Sequence, residues 1–193
     1  MAPLRLGVLG SGRGSNFVAI ADAITQGQLN AEVALVVADV ESAAILETAR
    51  ARGMRAEYVA PGRFRTKMEP EAEQRVVDLL REERVEWVVL AGFIRMIKAP
   101  LLEAFPRRII NIHPSLLPAF SGLEAWRQAV EAGAAVSGCT VHYVDAGMDT
   151  GAVIAQREVP VMAGDTPESL HARIQAAEHV LYPEVLRRIA DGR

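Results

Sequence analysis

The chain has 193 residues, 50% hydrophobic and 23% charged, with a formal net charge of −3. That composition suits one globular domain with a substantial buried core, and its mild acidity leaves no electrostatic footprint for sequence-independent nucleic-acid binding. Cys139 is the only cysteine, so an intrachain disulfide and a cysteine metal cluster are both excluded, in keeping with a reducing compartment. No apolar run approaches the ~20 residues that span a bilayer, and the N-terminal run meets Gly7 and Gly10 at once, which reads as a first strand and not as a signal peptide. Nucleic acid and membrane are therefore not expected partners, and the cytoplasm is the expected location.

Strand and helix signals then alternate. Residues 6–9 predict the first strand and 16–26 the first helix. The β-branched run 33–37 predicts a strand covered on both faces. A helix is expected over 42–52, stopped by Gly53, then a short strand over 57–59. A helix over 71–83, a buried strand over 87–90 and another strand over 109–112 follow. Residues 125–132 predict a helix closed by Gly133. After that the pattern changes. Residues 140–144 and 153–161 predict two strands with no helix between them, a paired and antiparallel end to an otherwise parallel sheet. The last segment predicts a helix with Asp165 as N-cap, Pro167 early and Glu168 three residues on. Leu170, Ile174, Ala177 and Leu181 share one face of it. The fold class expected is α/β, a doubly wound, mostly parallel sheet with an antiparallel strand pair near the C-terminal end.

Chemistry concentrates at strand ends. Gly10-Ser11-Gly12-Arg13-Gly14-Ser15-Asn16 separates the first strand from the first helix. Its glycines permit close backbone approach, and helix-terminal N–H groups favour an anion. It reads as a phosphate site, against the plainer alternative of a flexible turn. Asp39 stands where a dinucleotide fold holds a ribose, but Ser15 replaces the third glycine of that fingerprint, so Asp39 is expected as a solvated strand-end residue. Asn111 and His113 share one face of their strand, and Pro114 turns the chain out of the sheet. An amide that can bind an oxyanion beside an imidazole that can move a proton suits acyl transfer; a structural histidine is the alternative. Asp145 and Asp149 lie in the Gly-spaced loop Asp145-Ala146-Gly147-Met148-Asp149-Thr150-Gly151, which lacks the oxygen-ligand spacing of a calcium loop. A carboxylate there would hold an imidazolium, or be a solvated turn.

The remaining candidates read as structural. His142 is expected to face out of its strand and His171 to be exposed. Gln175, Glu178 and His179 by themselves read as a solvated helix face. Trp87 and Trp126 read as packing, and Cys139 as a small buried hydrophobe.

Taken together, Asn111-Ile112-His113-Pro114-Ser115-Leu116-Leu117-Pro118 and the loop 145–151 resemble the signature of the folate-dependent formyltransferases. Ser11-Gly12-Arg13-Gly14-Ser15-Asn16, Leu90-Ala91-Gly92-Phe93-Ile94-Arg95 and Gln175-Ala176-Ala177-Glu178-His179 narrow the resemblance to the small purine-biosynthesis branch. The resemblance runs from Leu6 to about Gly192 and implies a single domain over 1–193, a Rossmann-like formyltransferase fold. Its N-terminal half would bind phosphate and ribonucleotide, and its C-terminal half would bind folate and carry catalysis. It implies direct transfer of a formyl group from the co-substrate 10-formyltetrahydrofolate to the glycinamide amine of a ribonucleotide, with no metal. Asn111 would bind the formyl oxygen, His113 would stabilise the oxyanion and move protons, and Asp149 would orient His113 and favour its charged form. Gly14, Ser15 and Asn16 would hold the phosphate, with Gln175 and Glu178 on the rest of the ribonucleotide and Glu178 on its ribose. Ile94, Arg95, Met96 and Ile97, together with Val144, Asp145, Gly147 and Asp149, would wrap the pterin, and Lys67 would stand near the folate. Glu124 occupies a position where the family commonly has His and is left out of the site. The extra domains of the related hydrolase and tRNA-directed enzymes are not expected. A homo-oligomer is compatible with the sequence but is not predicted by it.

Overall fold

The computed structural model describes residues 2–192, so Met1 and Arg193, the outermost residues of the expected 1–193 unit, lie outside the described residues. In chain order the elements are β1 (Leu4–Gly10), α1 (Ser15–Thr25), β2 (Ala31–Ala38), α2 (Ala44–Ala51), β3 (Ala56–Tyr58), α3 (Pro70–Glu82), β4 (Trp87–Leu90), α4 (Ala99–Ala104), β5 (Ile109–His113), α5 (Ala125–Glu131), β6 (Val136–Tyr143), β7 (Val153–Pro160) and α6 (Pro167–Ala190). The strands form one seven-stranded sheet in the order β3-β2-β1-β4-β5-β6-β7. β1 to β5 run parallel to one another. β6 runs antiparallel to β5, and β7 antiparallel to β6. This is the doubly wound sheet with an antiparallel end that the strand patterns predict.

The continuous apolar runs have a physical cause, since central strands are covered on both faces. On one face Val8, Val36 and Ile110 pack with Phe17, Ile20, Ile45, Ile174 and Leu186. On the other, Leu9, Val37 and Ile109 pack with Val76, Leu80, Leu101 and Phe105. Each such fully buried side chain stabilises the fold by about 1.5–3 kcal/mol. Tyr182 on α6 is fully buried, and its hydroxyl lies 3.0 Å from the carbonyl oxygens of Leu90 and Ile110. That contact ties the last helix to the carboxyl end of β4 and to the start of β5.

Two local expectations are corrected. α4 is absent from the sequence prediction; with six residues it is too short to show helical periodicity. Its N-terminus is held from elsewhere, by buried Glu73 on α3, whose Oε1 accepts the Lys98 N–H at 2.7 Å. The N-cap of α6 is Thr166 and not Asp165. Thr166 and Ser169 form a reciprocal capping box, while Asp165 accepts from the Met162 N–H and pairs with Arg173.

Candidate active site

At the carboxyl ends of β1, β4 and β5 the loops part around a cleft of about 390 Å³. It opens beside the point where the sheet order reverses between β1 and β4, the position at which open α/β sheets bind ligands. Its size is that of a small-molecule site.

Asn111 and His113 project into this cleft from the end of β5. His113 is buried, with Nε2 3.0 Å from the Phe120 carbonyl oxygen and Nδ1 3.4 Å from Asp149 Oδ2. A carbonyl can only accept, so Nε2 carries a proton; a second proton on Nδ1 lets the ring donate to Asp149 as well. Asp149 Oδ2 also accepts the Gly122 N–H at 2.9 Å. Phe120 and Asp149 both adopt left-handed backbone, at φ 54° and 55°. That conformation costs a non-glycine residue about 1–3 kcal/mol and is found where surrounding contacts impose it.

His142 is the residue that sequence reasoning misses. It does not face outward; it is 3% exposed and sits directly across the β5–β6 ladder from Asn111. Its Nδ1 lies 2.8 Å from the Tyr143 carbonyl and so donates to it. Nε2 is then an acceptor and takes an N–H from Asn111 Nδ2 at 3.2 Å. Burial pushes the His142 pKa down, which keeps the ring neutral and Nε2 accepting. One amide N–H of Asn111 is thereby fixed, and the other remains for a ligand. Asp149 Oδ1 lies 3.8 Å from His142 Nε2, but with that nitrogen unprotonated the two acceptors make no hydrogen bond. Only the antiparallel register places His142 here, and no local pattern reports it.

The far end of the cleft is built by the β1–α1 turn and α6. Gly14 caps α1 at φ 74° without a side-chain cap, and a Cβ there would lie 2.6 Å from Ile45, so glycine is required. The first N–H groups of α1 are left for an anion. Asn16 Nδ2 donates to Glu178 Oε2 at 2.9 Å, both residues being buried. Glu178 is therefore not on a solvated face. Burial pushes its carboxyl up to about 7, against the opposing hydrogen bond from Asn16. Asn16 Oδ1 has no partner. Ser15 and Gln175 line the same end.

Between these ends, Ile94, Met96, Ile97, Val144 and Met148 give an apolar slot, with Asp145 and Gly147 on its rim. Asp145 Oδ1 accepts from Gly147 N–H and Thr150 Oγ1, shaping the loop. Arg95 lines the slot, but its guanidinium is engaged by Asp39 and by the carbonyls of Phe64 and Arg65. Asp39 is accordingly 3% exposed and ion-paired, not solvated as its position at a strand end suggests. Lys67 does not line the cleft; its ammonium lies 4.5 Å over the Phe64 ring. Its backbone instead pairs with Met96, and Met96 N–H donates to Thr66 O. Trp126 is more than packing, since it lines the cleft with His171, which is half-buried against it. Cys139 is fully buried, and burial pushes its thiol up to about 12, which makes it inert.

An amide donor, an imidazole and a carboxylate converging beside an apolar slot and an anion cradle can stabilise an oxyanion and move a proton. Among the described residues no cluster of His, Cys, Asp or Glu could hold a metal ion, and no helix is long and apolar enough to cross a membrane. The profile of the Formyl transferase family matches residues 4–186. The chain is similar to phosphoribosylglycinamide formyltransferase of Bacillus subtilis, 42% identical over 96% of this chain and 94% of that one. It is 44% identical to the trifunctional purine biosynthetic protein adenosine-3 of Drosophila pseudoobscura pseudoobscura, covering 97% of this chain but only 14% of that protein's length. Among solved structures, glycinamide ribonucleotide transformylase 1 of Symbiobacterium toebii superposes with a TM-score of 0.94 at 47% identity, over 100% of this chain and 90% of that one. The chain belongs to the formyl transferase family.

Proposed function

We propose that this chain transfers the formyl group of 10-formyltetrahydrofolate to the primary amine of 5'-phosphoribosylglycinamide, a step of purine nucleotide synthesis. The observation that carries the reading is the cluster of Asn111, His113, His142 and Asp149 between an anion cradle and an apolar slot in one cleft. The names and similarity of the relatives support the same substrates.

A flat pterin would occupy the slot between residues 94–97 and 144–149, whose lining by Ile94, Met96, Ile97, Val144 and Met148 supports that reading. Gly14, Ser15 and Asn16 would take the phosphate, with Gln175 and Glu178 on the ribose side. In the reaction the amine nitrogen bonds to the formyl carbon, and charge grows on the formyl oxygen. The free N–H of Asn111 and, when His113 carries its second proton, the Nδ1–H facing Asp149 at 3.4 Å would donate to that charge. Such contacts tighten when a ligand arrives. As the bond from the formyl carbon to the folate nitrogen breaks, that nitrogen gains a proton and the attacking amine loses one. His113 and Asp149 relay it, and the balance closes without a further reactant. We take residues 1–193 as one working domain, the N-terminal half supplying the phosphate loop and the C-terminal half the catalytic groups.

The test mixes purified protein with 10-formyltetrahydrofolate, with and without glycinamide ribonucleotide, and follows folate absorbance. Donor loss that requires the ribonucleotide is expected. Loss without it would mark a hydrolase, and no loss at all would contradict a transferase.

A further inference from the structure

The phosphate end of the cleft holds a guanidinium and an imidazole outside the Gly14–Ser15–Asn16 cradle. His171, on the second turn of α6, is half-buried, and its ring stacks on Trp126 of α5 with centroids 3.6 Å apart and planes 4° from parallel. Stacking of that quality fixes the plane of the imidazole and leaves its nitrogens at the ring edge. Arg13 is exposed in the turn before α1. Both residues, with Trp126, line the same cleft as Ser15 and Gln175. Arg13 is close enough to bear on the ring: burial, and then the Arg13 charge, hold the His171 pKa below its ordinary value. Charging His171 beside Arg13 and an uncapped helix N-terminus is unfavourable unless an anion sits between them.

We propose that Arg13 and His171, the latter held flat on Trp126, form a second wall of the site that clamps the phosphate of a phosphorylated sugar substrate against the start of α1. The proposal rests on the functional reading above and adds the residues that would select a phosphate ester over an unphosphorylated sugar. A dianion between the two groups offsets the Arg13 repulsion and lets His171 take up a proton, so phosphate binding and His171 protonation are linked. The other charges around this ring are Glu124 and Arg127 at the start of α5, which pair at 3.2 Å, and Glu168 on the preceding turn of α6, which lies 3.9 Å from Arg127. Together they carry one net negative charge gathered on Arg127, away from the ring, and Arg13 is the charge that bears on His171. Glu178, two turns further along α6, also titrates near neutrality, and the phosphate's own second ionisation falls near 6. Both are common to wild type and variants, so differences between proteins isolate Arg13 and His171.

The experiment is calorimetric titration of wild type, Arg13→Ala and His171→Gln with glycinamide ribonucleotide and with its phosphate-free riboside, at pH 6.0 and 8.5. Arg13→Ala, on an exposed turn, should weaken ribonucleotide binding about tenfold at both pH values, the effect of one charge-assisted contact, and leave riboside binding unchanged. His171→Gln should weaken ribonucleotide binding about tenfold at pH 6.0 and less than about twofold at pH 8.5, again sparing the riboside. Equal losses for riboside and ribonucleotide, or a His171→Gln effect independent of pH, would contradict the clamp while leaving the functional reading intact. A wild type that binds no ribonucleotide at either pH would remove both.

Discussion

At the end of the cleft where β5 meets β6, each polar side chain is already answered. Asn111 donates to His142, His142 donates to Tyr143 O, His113 faces Phe120 O and Asp149, and Asp149 accepts from Gly122. At the end where α1 meets α6, a carboxyl is buried on a single amide, that amide's oxygen has no partner, and the helix N-terminus has no side-chain cap. The first end is preorganised before any ligand arrives, which is what stabilising developing charge requires. The second keeps desolvated groups that a ligand rich in hydroxyls and phosphate would satisfy. Substitutions at the first end should therefore cost rate, and those at the second should change affinity and pH response.

The largest effect expected is that of His113→Ala, about 10³–10⁴-fold in turnover, with the thermal unfolding midpoint little changed. Steady-state rates with a melting curve check both, and near-normal turnover would remove His113 from the reactive end. Asn111→Ala should cost about 10²–10³-fold, as loss of an oxyanion donor does. His142→Phe should cost about tenfold, acting through Asn111. If so, the double variant is no slower than Asn111→Ala alone. Additive losses would mean that His142 acts independently of the amide.

Glu178→Gln probes the other end. Burial raises the Glu178 pKa to about 7, so the acid's contribution to stability is full below its ordinary range near 4.5 and is lost as pH rises through about 7. Wild type should lose about 3 kcal/mol over that window from this group, and Glu178→Gln should not. His142, neutral and buried, works in the opposite direction, favouring the fold above its ordinary pKa and losing that as pH falls. Denaturant melts from pH 4.5 to 8 separate the two, because the variant differs only in the first; parallel curves would refute the burial account. The smallest effect is that of Asn16→Ala, about a fivefold rise in ribonucleotide KM with folate KM unchanged. A change confined to folate would place Asn16 at the wrong end.

The same contrast explains what the amino-acid sequence reveals. The strands of the parallel sheet are legible because both of their faces are buried, which writes unbroken runs such as Val33 to Val37. The Asn111–His113 pair is legible because strand alternation puts the two residues on one face. Asp39 and His142 are misread because each is buried by a partner far along the chain, Arg95 and Asn111, reached only through the sheet. Glu178 reads as solvated for the same reason, since Asn16 comes from α1. Lys67 is near the slot in sequence logic yet folds onto Phe64. Polar residues whose roles depend on distant partners leave no local periodicity, whereas apolar ones do.

The central claim is that the preorganised end passes a formyl group directly to the glycinamide amine of phosphoribosylglycinamide. A single-turnover experiment with ¹³C-formyl donor and glycinamide ribonucleotide, read by mass spectrometry, tests it most directly. Label recovered in the ribonucleotide amide with wild type, and lost with His113→Ala, is the result predicted. Label appearing as free formate with wild type would contradict it.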